Sequence, residues 1–213
     1  MKGISLMLYL GLLGGLFMFT GCSDDGDDNG PNGSVNLEVQ MAEDIPASVG
    51  VPRGAPPVYT FYSLTDGRII APADSNSTQW DIALAGTTIL VNGGTSGPGQ
   101  GEAQIVNGAF DELTEAPETG YQPDSESEFA IPTGSGNGWY NYTGSDTKPN
   151  NTVLPLPGKI ITLRTAEGNY AKMEILSYYR GNPEINADYV SQPGDSRHYT
   201  FQYVVQPNGS RQF

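Results

Sequence analysis

One histidine, one cysteine and a knot of tyrosines around a tryptophan are the side chains of this 213-residue chain with chemical potential. His198 is the only imidazole, so a serine nucleophile would depend on it as its base. No Gly-x-Ser-x-Gly, P-loop, His-Glu-x-x-His or paired-cysteine motif accompanies it, and the chain reads as a non-enzyme. Within Ser196 to Val205, His198 shares a strand face with Thr200, Gln202 and Val204, while Arg197, Tyr199, Phe201, Tyr203 and Val205 take the other. That polar company predicts a solvent-facing histidine. The aromatic island Trp139-Tyr140-Asn141-Tyr142 lies in the stretch Glu118 to Pro157, where Ser, Gly, Asn, Asp and Pro dominate. Long loops in compact domains are usually functional or disordered. Trp139, Tyr140 and Tyr142 are therefore the candidate ligand-binding side chains, arranged either as a binding rim or as a plug over the end of the core. The run Asn92 to Gly101 has the glycines of a phosphate cradle but lacks the lysine and the following helix. It reads as a wide hairpin loop. No metal-ligand set is assigned.

Cys22 follows a short positive start at Lys2, an apolar run from Leu6 to Phe19 and the small pair Thr20-Gly21. The run is too short and too rich in glycine to be a comfortable membrane span, so residues 1–21 read as a cleaved export signal. Phe19-Thr20-Gly21-Cys22 resembles a bacterial lipobox, which makes Cys22 the expected lipidation site and the lipid the only attachment to membrane. Residues 22–34 are acidic and polar with no apolar side chain beyond Pro31. Such a segment buries too little to order itself and serves as a tether. Acidic residues directly after the cysteine resemble the signal that sends lipoproteins of the Bacteroidota to the cell surface, so the expected address is the outer face of the outer membrane.

Removing the signal leaves nine of the ten basic residues against 24 acidic ones, a formal charge of −15. A surface of that sign repels polyanions and excludes nucleic acid as a partner. With 28 Gly, 16 Pro and 12 Tyr the chain is rich in turn formers and β formers. Residues 35–213 are expected to form one domain of β structure. Tyr59 to Leu64 and Arg68 to Ile70 flank the turn Thr65-Asp66-Gly67, and Trp80 to Leu84 and Thr87 to Val91 read as further strands. Lys159 to Thr165 and Tyr170 to Tyr179 flank the turn Ala166 to Asn169, with Ala171, Met173 and Ile175 on one face, and Arg197 to Val205 reads as the last strand. Asp111 to Glu115 is the one stretch with a helical turn in it, stopped by Pro117.

Taken in order, Tyr59-Thr60-Phe61-Tyr62, Trp80-Asp81-Ile82-Ala83-Leu84, the glycine run Asn92 to Gly101, Gly168 to Met173 and Thr200-Phe201-Gln202-Tyr203 resemble the landmarks of the HmuY family of haem-binding surface lipoproteins. The resemblance implies an all-β fold of twisted antiparallel sheets, a lipid anchor and capture of haem for an outer-membrane transporter in iron acquisition. Members of that family hold the iron from both sides with histidines or methionines placed between the glycine loop and the last strands. Here Glu102 to Pro157 contains no His, Met or Cys. Trp139 matches a family aromatic, and beside it stand only Tyr140, Asn141 and Tyr142. Haem held by one tyrosine, haem held by packing, and a non-haem apolar or carbohydrate ligand on a binding or adhesion module all remain open at this point.

Overall fold

Alternation of large apolar with polar residues becomes strands throughout the computed structural model, which describes residues 37–52 and 54–213. The expected signal peptide, Cys22 and the tether lie outside the described residues. Eleven strands follow in chain order: β1 (Gln40–Pro46), β2 (Thr60–Ser63), β3 (Arg68–Ile70), β4 (Ile82–Ala85), β5 (Thr88–Val91), β6 (Glu102–Asn107), β7 (Tyr140–Tyr142), β8 (Val153–Pro155), β9 (Lys159–Arg164), β10 (Tyr170–Tyr179) and β11 (Ser196–Gln206). A five-stranded sheet has the order β1-β11-β10-β9-β6, a four-stranded sheet the order β3-β2-β4-β5, and β7 and β8 form a separate ribbon. Every pairing is antiparallel. The fold is therefore all-β, as the composition required.

The main core lies between the two large sheets. Tyr62, Leu64, Ile82, Leu84, Ile89 and Val91 meet Ile161, Leu163, Met173, Tyr199, Phe201 and Tyr203 there, all essentially inaccessible to solvent. The Tyr62 ring meets Phe201 and Tyr203 edge-on, at centroid distances of 5.5 and 6.3 Å, the arrangement that the ring quadrupoles favour. Both sheets are covered on their outer faces too. Trp80, Ile70, Ala83 and Leu90 pack behind the four-stranded sheet, and Phe110, Ile160 and Val204 behind the other. Lys172, on this outer face, donates to the carbonyls of Phe110 (2.8 Å) and Leu113 (2.9 Å) under the Phe110 ring, and so pins the Ala109–Leu113 turn. That turn occupies the place of the expected helical turn.

One connection differs from the sequence reading. The glycine run does not close a hairpin: it carries the chain from β5 in one sheet to β6 in the other. Its glycines are required by close approach, because a Cβ on Gly93 would collide with the Gly101 carbonyl and one on Gly94 with the carbonyl of Asp124. The stretch Glu118 to Pro157 takes the second of its two expected forms, a folded plug, with the β7–β8 ribbon inside it. Buried Asp124 staples the plug down, its carboxylate accepting from Val91 N (3.0 Å) and Ala130 N (2.8 Å).

The edge of the larger sheet is irregular. The register of β1 against β11 shifts between Ala42 and Ile45, and Asp44 there sits at φ 54° with Glu43 beside it, both exposed. A bulge of this kind bends the strand and interrupts its ladder.

Candidate functional site

The aromatic island is where sequence placed the site. In the structure, Trp139 is 2% exposed and stacks among Tyr140, Tyr178 and Tyr199 at centroid distances of 4.9, 6.1 and 5.2 Å. Its indole N–H donates to Thr87 O at 3.1 Å. Tyr140 is buried beside it and its hydroxyl accepts from Thr87 Oγ1 at 3.2 Å. Tyr142 is exposed, its hydroxyl donating to Asn151 Oδ1 at 3.0 Å. Of the two expected arrangements the plug is what these residues build, because an apolar ring in a polar loop is stable only when it packs on the core. Alternation along β7 turns Asn141 to the face opposite Tyr140 and Tyr142.

On that opposite face lies a cleft of about 540 Å³, lined by Asn141, Leu154 to Pro157, Glu174, Ile175, Leu176, Pro183 and Ile185. Three devices shape it. Val153 N donates to the Tyr179 hydroxyl at 2.9 Å, tying β8 to β10. Leu156 N donates to Trp139 O at 2.8 Å, so the buried indole fixes one wall. The register of β10 against β11 shifts on both sides of Ser177, whose hydroxyl donates to Tyr179 O (3.1 Å) and accepts from Tyr179 N (3.0 Å). Bulges are frequent beside binding sites, and next to this one Glu174 and Leu176 are half-buried.

Two polar groups interrupt the aliphatic lining. Glu174 Oε2 accepts from Gln202 Nε2 at 2.8 Å, and Asn141 Oδ1 accepts from the Ser135 hydroxyl at 2.8 Å. Among the described residues this leaves Glu174 Oε1 and Asn141 Nδ2 to serve a ligand. A mostly apolar cavity with few oriented polar groups, within the ~300–1,000 Å³ usual for small-molecule sites, is the form such sites take. A second depression of about 370 Å³ lies in the plug, but Glu126, Ser127, Glu128, Thr133 and Asn137 make its lining largely polar.

His198 is elsewhere and is not solvent-facing: it is 5% exposed. Arg197, immediately before it, adopts φ 67° and breaks the strict alternation that predicted exposure. Arg180 Nη2 donates to Nε2 at 2.8 Å, since a guanidinium offers no acceptor. Nδ1 then carries the hydrogen and faces the carbonyls of Asp195 and Ser196, each at 3.1 Å. Both ring nitrogens are thus engaged in structural bonds. Asp81 is buried as well, accepting from Leu64 N (2.7 Å), Thr65 N (3.4 Å) and Ala166 N (2.9 Å). Burial pushes its carboxyl above the ordinary value, against the pull of those bonds. Burial likewise raises the Tyr178 phenol to about 12. Among the described residues no cluster of three His, Cys, Asp or Glu side chains could hold a metal ion. Sequence reasoning missed the cleft, whose lining comes from four separated segments; the one available signal was the aliphatic, proline-rich run Val153 to Pro157.

Two large antiparallel sheets thus enclose the core, and a cleft of ligand size opens beside β8 and β10. The family model for the HmuY protein matches residues 56–203, and the chain belongs to the HmuY family. Among solved structures it is similar to Apo PinO from Porphyromonas gingivitis, at 13% identity and a TM-score of 0.51 over 79% of this chain and 98% of that one. It is also similar to the Apo HmuY analogue TFO of Tannerella forsythia (13% identity, TM-score 0.48, 81% and 96% covered). A candidate HmuY-like haem-binding protein of Bacteroides vulgatus follows at 14% identity and a TM-score of 0.44, with 79% and 91% covered. At these identities the likeness to PinO establishes the fold. No curated protein matches the sequence.

Proposed function

We propose that this chain is a lipid-anchored binding protein of the outer-membrane surface that captures a small apolar molecule, without altering it, in the cleft between β8 and β10. The observation that carries the reading is the cleft: about 540 Å³ of aliphatic and proline lining, on a family fold, with one carboxylate and one amide turned into it. The lipobox-like Phe19 to Cys22 and the acidic run behind it support the address. An outer-membrane transporter that accepts the cargo is the partner the family resemblance suggests. Carbohydrate has less support, since sugar faces stack on exposed aromatic rings and no aromatic residue lines the cleft.

Haem is the second reading, favoured by membership of the family. The donor set does not fit iron held from both sides. Among the cleft residues only Glu174 and Asn141 carry donor atoms, and no His, Met, Cys or Tyr lines it. The oxygens of Tyr140 and Tyr142 lie on the other face of β7, one buried and one bonded to Asn151. Haem in this cleft would rest on packing alone, without the strong-field imidazole or thioether ligation used by other haem proteins.

An absorbance titration with hemin separates the readings. It is done on the full chain carrying Cys22→Ser, which cannot take up lipid, so that no detergent competes. Any hemin bound by packing is expected to lack a low-spin bis-imidazole spectrum. The double variant Tyr140→Phe/Tyr142→Phe is expected to leave that spectrum unchanged. A saturable, low-spin spectrum, or one abolished by the double variant, would establish side-chain ligation and remove the cleft reading.

A further inference from the structure

The cleft carries one more piece of chemistry, in its charge. Every titratable side chain that lines it is acidic: Glu174 is the only one. Glu184 adds a second carboxylate in the segment that contributes Pro183 and Ile185. The basic groups of the adjoining segments keep their charge but bond away from the lining: Lys172 Nζ, two residues from Glu174 on β10, donates to the carbonyls of Phe110 and Leu113 at 2.8 and 2.9 Å, Lys159 Nζ to Asn107 Oδ1 at 2.8 Å and Arg180 to His198 at 2.8 Å, and Lys148 pairs with Asp188 at 3.6 Å. None of the four lines the cleft. Glu174 itself is held by Gln202 through Oε2, which orients Oε1 without neutralising the charge. A carboxylate at the margin of an apolar surface favours a cation and repels an anion, and it does so more strongly than in bulk water because half its surroundings are protein.

We infer that the cleft selects apolar molecules bearing a single cationic nitrogen donor, an alkylammonium in the simplest case, over neutral and anionic molecules of the same skeleton. The inference rests on the cleft being the ligand site. It sets this chain apart from capture of dianionic macrocycles, whose two carboxylates would meet Glu174 with no guanidinium or ammonium among the lining residues to receive them. In the bound state the hydrocarbon lies against Leu154, Leu156, Leu176 and Ile185, and the ammonium donates to Glu174 Oε1. Asn141 Nδ2, a donor, has nothing to offer the ammonium and would face a carbonyl or ether oxygen on a more elaborate ligand.

The test compares decylamine, decanol and decanoate, each at monomeric concentration, by isothermal titration into the full chain carrying Cys22→Ser. Decylamine is expected to bind about tenfold more tightly than decanoate, from an attraction and a repulsion each worth a few-fold at a half-exposed charge, with decanol between. Glu174→Gln keeps a carbonyl oxygen for Gln202 and is expected to reduce that ratio below about twofold. Equal affinities for the three head groups would overturn the charge selection and leave the apolar cleft standing. Decanol binding that persists undiminished in Leu176→Glu, a substitution placing charge in the cleft wall, would overturn the cleft as the site, and the selection with it. Failure of all three probes to bind would overturn both.

Discussion

His198 shows how much a single backbone angle can hide. Read as a regular strand, Ser196 to Val205 puts the ring among Thr200, Gln202 and Val204 and out in solvent. With Arg197 at φ 67° the strand is locally reset, and the ring is enclosed between Arg180 and the carbonyls of Asp195 and Ser196. A non-glycine residue in the left-handed region leaves no mark in composition or periodicity. His198→Ala is therefore expected to lower the unfolding free energy by about 1–3 kcal/mol, the cost of stranding buried polar partners, as read by chemical denaturation. An unchanged midpoint and slope would mean that the ring is solvated after all. Asp81 and Asp124 were invisible in the same way. Nothing in Trp80-Asp81-Ile82 announces a carboxylate that collects backbone N–H groups from two distant turns.

Strands were more legible than residues where each had one apolar face or two. The β2–β3 and β9–β10 hairpins follow directly from turn residues between alternating runs, and Ala171, Met173 and Ile175 do share the core-facing side of β10. Strands β1, β6, β7 and β8 were not legible. They are short or polar on one side, and their pairing is decided by partners far away in sequence. The plug is the clearest case, since β7 acquires its place from Trp139 seated against Tyr178 and Tyr199 of other strands. Trp139→Phe removes the indole N–H that satisfies Thr87 O and leaves a void, and it is expected to cost about 1–3 kcal/mol. Because the seated indole fixes the backbone whose carbonyl accepts from Leu156 N, a looser ring at position 139 is also expected to weaken binding of decylamine in the cleft. Loss of stability in a thermal melt with ligand affinity unchanged would show that plug and cleft are mechanically independent.

For the chain as a whole, class and family were readable early, because both depend on ordered landmarks spread over residues 56–203 and on bulk composition. Ligand identity was not, since the lining of the cleft comes from four segments that only folding assembles. The proposed address of the molecule rests on Cys22, the only thiol in the sequence. Two or more acyl chains give stable membrane attachment where a single one is marginal. Cys22→Ser is thus expected to move the protein from the membrane fraction to the soluble fraction, as followed by immunoblot after cell fractionation. Retention of the variant in the membrane would remove the lipid-anchor proposal.

The kinked margin of the larger sheet acquires a meaning once many copies share one surface. Molecules tethered by their ends, as proposed, are confined to a layer in which neighbours collide often and at grazing angles. An open strand is then a standing invitation to polymerise, since its unpaired N–H and C=O groups would template a neighbour's backbone. The shifted register between Ala42 and Ile45, with Glu43 and Asp44 exposed at the break, withholds that template. At the far margin, the bridge between Ala103 and Gln122 occupies β6 with the chain's own plug. On the proposed anchoring and cleft, a crowded coat of such molecules would stay a two-dimensional fluid, each cleft free to load and unload independently of the rest.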